Sequence, residues 1–356
     1  MKSSYKKLAP YIRQVDARNK NLEVTRLLGV SIEKRFIKSI ANTIGTDMSS
    51  YKIVRKGQFA YGPVTSRNGD KVSIALLEEE ECIISSSYLV FEITDTNALL
   101  PEYLNLWFKR PEFDRYARFH SHGSAREIFD WEEMCNVALP IPTIEEQQKI
   151  VDAYNAIERR ISIKRQINDN LESQAITIFK HSYEQCDESE LVCGTISNLG
   201  VFVRGKNLTS AEMREGTIPV ISAGIEPSGF HNVYNVNSPS ITISGSGVNA
   251  GYVSYHAENI WASDCSYNNS AKYIRCLYLL LRINQSNIFD MQKGTAQPHV
   301  YPKEINPFEI KFPNSTALEK VESQLKPIFD DITSNLVEIK ALQETLKVYL
   351  TAISSR

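Results

Sequence analysis

The 356-residue sequence predicts two mixed α/β (α+β) domains, copies of one repeated unit, separated by two long antiparallel coiled-coil helices related by a pseudo-two-fold repeat. Three observations predict this. The chain resembles itself at an offset of 171 residues (294 − 123). Each copy ends in a long stretch with heptad rhythm, and each begins with β-branched strands mixed with short helices.

The repeat is read without a gap. Gly123-Ser124-Ala125-Arg126 aligns with Gly294-Thr295-Ala296-Gln297, and Glu133-Met134 with Glu304-Ile305. Leu139 then meets Ile310, Pro142 meets Pro313, and Lys149-Ile150 meets Lys320-Val321. Ile157, Ile161 and Leu171 meet Ile328, Ile332 and Leu342. Apolar character is kept throughout, although strict identities are few.

In chain order, Val72 to Leu77 and Cys82 to Ile93 read as strands, because they are rich in β-branched and aromatic residues. Pro101 to Lys109 and Pro111 to Phe119 read as short helices that start at proline. Pro140-Ile141-Pro142 ends the first domain, since consecutive prolines disfavour helix and interrupt a ladder. Thr143 is the expected N-cap of a helix, with Glu146 completing a capping box. Its apolar register runs through Ile150, Tyr154, Ile157, Ile161, Leu171, Ala175 and Ile178, broken by Lys164 and Asn168. From Ile144 to Phe179 a continuous helix spans roughly 54 Å at 1.5 Å per residue, far beyond the usual three or four turns.

Gln185 to Glu190 reads as a polar, acidic linker. In the second copy Ile218 to Ile221, Ser240 to Ser244 and Gly251 to Tyr255 read as strands, and Gly224 to Gly251 is rich in loop residues. Phe312-Pro313-Asn314 closes that domain, with Asn314 or Ser315 as N-cap. The last helix carries apolar residues at Leu318, Val321, Leu325, Ile328, Ile332, Ile339, Leu342, Leu346, Tyr349 and Ile353. Their steps of three and four are interrupted at Asn335, the repeat partner of Lys164. Polar residues at a seam cost stability and set register. Pro327 should kink this helix or mark a late start. The expected domains are residues 1–142 and 185–313, with spacer helices over 143–184 and 314–356.

The net charge of −2 argues mildly against nucleic acid, since DNA binders usually show a basic footprint. The charge is segregated, however. Lys2, Lys6, Lys7, Arg13, Arg18, Lys20, Arg26, Lys34, Arg35 and Lys38 crowd the first 40 residues, and acid collects at Glu78 to Glu81 and Asp187 to Glu190. Such a pattern permits a basic face, although charge runs are most often solvated surface. Cys82, Cys135, Cys186, Cys193, Cys265 and Cys276 form no C-x-x-C pair, so free thiols in a reducing cytoplasm are expected. No apolar run follows the first residues, so no signal peptide is expected, and stretches such as Leu277 to Leu281 are too short for a membrane span.

Three features together resemble the specificity subunits of type I restriction–modification enzymes. One is Leu139-Pro140-Ile141-Pro142-Thr143-Ile144-Glu145-Glu146-Gln147, with Glu146-Gln147 matching the family's E-Q. Another is the series Ile218-Pro219-Val220-Ile221-Ser222-Ala223-Gly224, Ile241 to Gly245, Gly251-Tyr252-Val253 and Trp261-Ala262-Ser263-Asp264, similar to the core of a target-recognition domain. The third is the repeat of domain plus helix. The order of these motifs carries the resemblance, and it covers nearly the whole chain. Phe312-Pro313-Asn314-Ser315 departs from it by lacking the E-Q, and the first domain lacks the second's early motif.

The resemblance implies a non-catalytic subunit in the cytoplasm that reads a bipartite, asymmetric site in double-stranded DNA. It implies that two methyltransferase subunits and restriction (translocase) subunits dock on it. The chain itself then needs no cofactor or metal: S-adenosylmethionine belongs to the methyltransferase partners, and ATP and magnesium to the restriction partner. Two domains on one face of a duplex would read half-sites about one turn, roughly 34 Å, apart.

Candidate DNA contacts are loop residues able to donate to base edges or phosphates. In the first copy they are Arg67, Asn68, Lys71, Ser124 and Arg126. In the second they are Arg204, Lys206, Asn249, Asn268, Asn269, Thr295 and Gln297. Arg suits guanine O6/N7, and Asn or Gln suits adenine N6/N7. An ordinary hairpin turn is an equal alternative for Arg67-Asn68-Gly69, and a solvated loop for Asn268-Asn269. Arg126 and Gln297 gain weight from occupying equivalent places. Tyr61, Tyr267 and Trp261 are of types more often found in a core. The helix–helix seam is expected to use Ile150, Tyr154, Ile157, Ile161, Leu171, Val321, Leu325, Ile328, Ile332, Ile339, Leu342 and Leu346.

Two rival classes stand beside this reading. A lone adenine methyltransferase or nuclease should show a glycine-rich cofactor loop and an N-P-P-Y-like tetrad, to which Asn306-Pro307-Phe308 is the nearest approach. Gly245-Ser246-Gly247 precedes no expected helix and no G-K-[ST]. A coiled-coil scaffold that binds no DNA is the other rival. His120 and His122 lack a third metal ligand, and His181, His231, His256 and His299 form no constellation in the sequence.

Overall fold

The computed structural model describes residues 5–39, 45–66, 68–69, 71–123, 126–294 and 297–353. The chain divides into two compact units, Met1–Ile161 with Ala341–Arg356, and Ser162–Lys340. Two long helices, Ile144–Glu184 and Ser315–Ala352, each contribute one part to either unit.

The first unit is built on a four-stranded antiparallel sheet in the order Ile12–Val15, Leu89–Ile93, Phe59–Tyr61, Ile74–Leu76. Its inward side chains make an aromatic core. Phe59 stacks on Phe91 with centroids 4.9 Å apart, and Phe108 meets Phe59 edge-on at 5.5 Å. Phe108 comes from the helix Pro101–Phe108, which starts at proline as expected because the first turn needs no donor there. The second expected helix is Pro111–Phe119. On it Asp114 pairs with Lys34 and accepts from Val72 N at 2.9 Å, while Lys34 Nζ donates to Val72 O at 2.6 Å. Burial of the ammonium pushes the Lys34 pKa down, and the adjacent Asp114 works against that.

The second unit repeats the sheet. Its order is Val203–Arg204, Cys265–Asn268, Ser240–Ser244, Val253–His256, all antiparallel. The early strands differ. Ile218–Ile221 pairs in parallel with Trp261–Ala262, whereas Lys52–Val54 of the first unit pairs antiparallel with Cys82–Ile84. A buried cluster joins Ile241, Ile243 and Val253 of the sheet to Leu277, Leu280 and Leu281 of the helix Ile274–Ile283. The long helices add Ala175, Phe179, Leu318, Val321, Leu325 and Phe329 to that cluster.

Both long helices start where their caps predict. Thr143 Oγ1 accepts from Glu146 N at 3.3 Å and Glu146 Oε2 accepts from Thr143 N at 3.2 Å. Asn314 Oδ1 accepts from Ala317 N at 3.0 Å, so the second helix begins at Ser315 and runs through Pro327. The late start considered for Pro327 is not found, because the Asn314 cap nucleates the helix a dozen residues earlier.

Of the seam residues, Ile150, Tyr154, Ile161, Val321, Leu325, Ile339 and Leu346 are buried, and Ile157, Leu171, Ile328, Ile332 and Leu342 are half-buried. In the first unit Tyr349 Oη donates to Ile150 O at 3.2 Å. In the second, Lys164 Nζ donates to Asn335 Oδ1 at 2.8 Å, Asn335 Nδ2 donates to Asn168 Oδ1 at 2.8 Å, and Asn168 reaches Ile332 O. These partners make the two helix segments antiparallel there. The polar interruptions of the heptads thus satisfy one another, and Glu338 adds an ion pair to Lys164 at 2.7 Å.

Gln147, the Gln of the E-Q pair, is fully buried. Its side chain accepts from Leu100 N at 2.8 Å and donates to Ala98 O and Pro142 O at 3.0 and 2.9 Å. It thereby ties the start of the helix Pro101–Phe108 to the start of the long helix. The repeat puts buried Leu318 in its place. One turn later, Glu322 takes over: its carboxylate accepts from Arg275 N and Cys276 N at 3.3 and 3.0 Å, capping the helix Ile274–Ile283. The missing E-Q is therefore a relocated anchor that holds an equivalent helix start.

Candidate nucleic-acid interface

The repeated glycine motif is bracketed by the same backbone pairing in both units. His122 and Ile128 exchange backbone hydrogen bonds at 3.1 and 2.9 Å, and Lys293 and His299 do so at 3.1 and 2.9 Å. Gly123 and Gly294 both have positive φ, 133° and 96°. A Cβ there would lie 2.1 Å from Arg126 O and 2.8 Å from Gln297 O. Only glycine lets the chain fold back so closely, which accounts for its presence in both copies. Each loop is docked to the segment after the central strand: Phe129 N donates to Pro63 O in one unit and Val300 N to Gly245 O in the other, at 2.8 and 3.1 Å.

In the first unit this docking brings the turn closed by Asn68 N donating to Thr65 O beside Glu127, the residue after exposed Arg126. Thr65 N donates to Glu127 O at 3.0 Å, and Thr65 Oγ1 to Ser121 Oγ at 2.9 Å. Lys71 lies past the turn and is ion-paired with Glu33 at 2.8 Å. Arg67 and Ser124 lie outside the described residues, as does Thr295 of the second unit. His120 Nδ1 lies 3.0 Å and His122 Nε2 3.8 Å from the Glu133 carboxylate, so both histidines face an acid.

In the second unit the loop closes over a polar cleft of about 470 Å³, lined by Arg204, Asn207, Ser246, Asp264, Gln297 and Tyr301 among others. Arg204 projects from the edge strand Val203–Arg204, and its Nη2 donates to Asp264 Oδ1 at 2.6 Å. Its guanidinium carbon lies 4.0 Å from the centroid of the Tyr301 ring. His299 stacks on Tyr301 at 4.8 Å, and Ser246 Oγ donates to Asp264 Oδ2. Lys206 is exposed next to this cleft, and its carbonyl accepts from Trp261 Nε1 at 2.9 Å. Asn249 is half-buried in the loop that follows Ser246.

The strands of the Ile218-to-Gly224 motif and of Trp261-Ala262-Ser263-Asp264 are neighbours in one sheet, and Ser263 N donates to Ile221 O at 2.8 Å. The two motifs therefore build one wall of the cleft together. Sequence reading missed Asp264, Ser246, His299 and Tyr301 as site residues. His299 belongs to a constellation after all, because the repeat loop folds it onto Tyr301. Its signal was its place just beyond the Gly294 motif.

One candidate contact is corrected. Asn268 is buried, 1% exposed; it donates to Val201 O at 2.8 Å and accepts from Ser270 N and Ala271 N. All its polar groups serve the turn after the strand, so it cannot face a duplex, whereas Asn269 is exposed. Asn306 of the tetrad-like Asn306-Pro307-Phe308 is likewise spent on structure, clamping both backbone groups of Phe202 at 2.8 and 2.9 Å.

Comparison with known proteins agrees with this duplicated geometry. The family described as type I restriction modification DNA specificity domain matches residues 31–173 and again 195–343. The chain is 26% identical over 294 residues to the type I restriction enzyme MjaIX specificity subunit of Methanocaldococcus jannaschii, an alignment covering 71% of this chain and 68% of that one. It is 24% identical over 182 residues to the HindI specificity subunit of Haemophilus influenzae, covering 51% of this chain and 39% of that relative. The crystal structure of a type I restriction–modification S subunit from M. genitalium superimposes with a TM-score of 0.54 at 15% identity, over 99% of this chain and 96% of that one, and so shares its fold. The chain belongs to the type I restriction modification DNA specificity family, carries that family's domain twice, and is a DNA-specificity subunit of this class.

Proposed function

We propose that this chain is the non-catalytic reading subunit of a type I restriction–modification complex and recognises a bipartite, asymmetric target in double-stranded DNA. Residues 1–142 and 185–313 act as the two recognition domains, and residues 143–184 and 314–356 as spacer helices. Two methyltransferase subunits dock on the chain, and restriction (translocase) subunits join them in the cytoplasm. S-adenosylmethionine is bound by the methyltransferase partners, and ATP and magnesium by the restriction partner. Base and phosphate contacts come from the loops around Asn68, Lys71 and Arg126 and around Arg204, Lys206, Asn249, Asn269 and Gln297, with Arg67, Ser124 and Thr295 as further candidate contacts.

The observation that carries this reading is the repetition of one sheet order and one glycine loop with different side chains at the loop. A duplicated scaffold with unlike readers suits a target whose halves differ in sequence. The test replaces residues 1–142 by the corresponding domain of another specificity subunit and maps methylated sites in cells that also hold the methyltransferase. One half of the motif should change and the other stay. Simultaneous change of both halves overturns the modular reading. Binding by the complex should weaken steeply with salt, since phosphate neutralisation releases counterions.

A further inference from the structure

Resting on that reading, we infer that Arg204 reads a guanine in the half-site of the second unit, with Asp264 and Tyr301 as the residues that position it. The geometry points to a base-edge reader. Two constraints fix the guanidinium plane: the 2.6 Å ion pair from Nη2 to Asp264 and the ring of Tyr301 at 4.0 Å. Asp264 is itself held by Ser246 on its second oxygen, and Tyr301 by the stacked His299. The anchors therefore do not swing freely. Among the described residues, Asp264 is the acceptor bonded to this guanidinium, which leaves its other edge for a ligand. The Arg204 side chain is 43% exposed at the mouth of the cleft.

A planar donor fork with one edge fixed and one edge open matches the O6 and N7 acceptors of guanine. A phosphate also accepts an arginine fork, so planarity by itself does not separate it from a base edge; the charge does. The acid beside the arginine also disfavours a phosphate, which carries its own negative charge, more than it disfavours a neutral base edge. Asp264 touches the reader rather than the DNA and is a positioning residue.

The test uses the complex with its methyltransferase subunits and a plasmid library of randomised sites. Methylated sites are sequenced for the parent and for R204A, R204K and D264N. In R204A and R204K a single G·C position in one half-site should lose about 10- to 100-fold of its discrimination, the range of one bidentate contact. D264N should loosen that same position by a smaller factor, because the arginine remains but its plane is freed. The other half-site should keep its sequence in every variant, which also reports that the variants fold and assemble. An unchanged motif, with affinity lowered equally on all sites and a salt slope smaller by about one, would make Arg204 a phosphate contact and overturn the inference. A parent complex that methylates no defined motif would overturn the proposed function, and this inference with it.

Discussion

In the second unit Arg204 lies over Tyr301, and Asp264 and His299 complete the cleft. Strand register and the 171-residue offset put Asp16, Asp130, Ser87 and Ile128 at the matching places of the first unit. An arginine is thus exchanged for an aspartate, and the stacked pair of rings is lost, on sheets with the same strand order. The difference teaches that backbone pairing and a buried apolar face carry the scaffold, while the loop rims are free to vary. Two copies of one architecture can then face two unlike base sequences.

The units also differ in how they bury charge, and this offers the largest break. Lys34 and Asp114 of the first unit are a buried ion pair, so Asp114→Ala leaves a buried ammonium alone. We expect a loss of about 3–5 kcal/mol in urea unfolding, with the damage confined to amides of the first unit in hydrogen exchange. Asp114→Ala spread evenly over both units would break the comparison.

A smaller effect comes from exchanging anchors between copies. Gln147→Leu installs the residue of the second copy, but no carboxylate equivalent to Glu322 stands one turn on, where the first copy has Val151. Leu100 N loses its acceptor and two carbonyls lose a donor. The expected cost is about 2–3 kcal/mol, read as a lower urea midpoint at unchanged slope.

The units should also respond differently to acid. His256, bonded to Thr242 Oγ1 at 2.7 Å, has its pKa pushed down to about 4 by burial, and Leu77 stands at its register in the first unit. An unfolded histidine titrates near 6.5, so between these values only the unfolded chain takes up the proton. The stability that His256 lends by staying neutral is complete above about pH 6.5 and is lost as the pH falls towards 4. The loss is at most about 3 kcal/mol, and His256→Leu should flatten the profile of the second unit while leaving that of the first unchanged.

The smallest expected effect lies in the polar stitch of the helix pair. Lys164→Ala removes bonds from a half-buried lysine to buried Asn335 and half-buried Glu338, and a loss of about 0.5–1.5 kcal/mol in thermal or urea unfolding is expected. Asn335→Leu should cost little or raise stability by closing an apolar seam, at the expense of register.

Much of this is legible in the sequence alone. The proline-started helices, the Thr143 and Asn314 caps and the strand Ser240–Ser244 follow from local rules, because caps, prolines and β-branched runs act within a few residues of themselves. Asn268 was misread because a loop asparagine looks the same whether it faces solvent or caps its own turn. Its burial depends on Val201, a neighbour 67 residues away.

By itself the sequence determined the duplication, the long helices and the family, since repetition and heptad rhythm are properties of order along the chain. Only the tertiary structure decided which side chains share the cleft. Arg204, Asp264 and Tyr301 are scattered along the second unit, and they meet because an edge strand, a strand end and a glycine-closed loop converge. That convergence is set by sheet pairing and core packing, which no local pattern encodes.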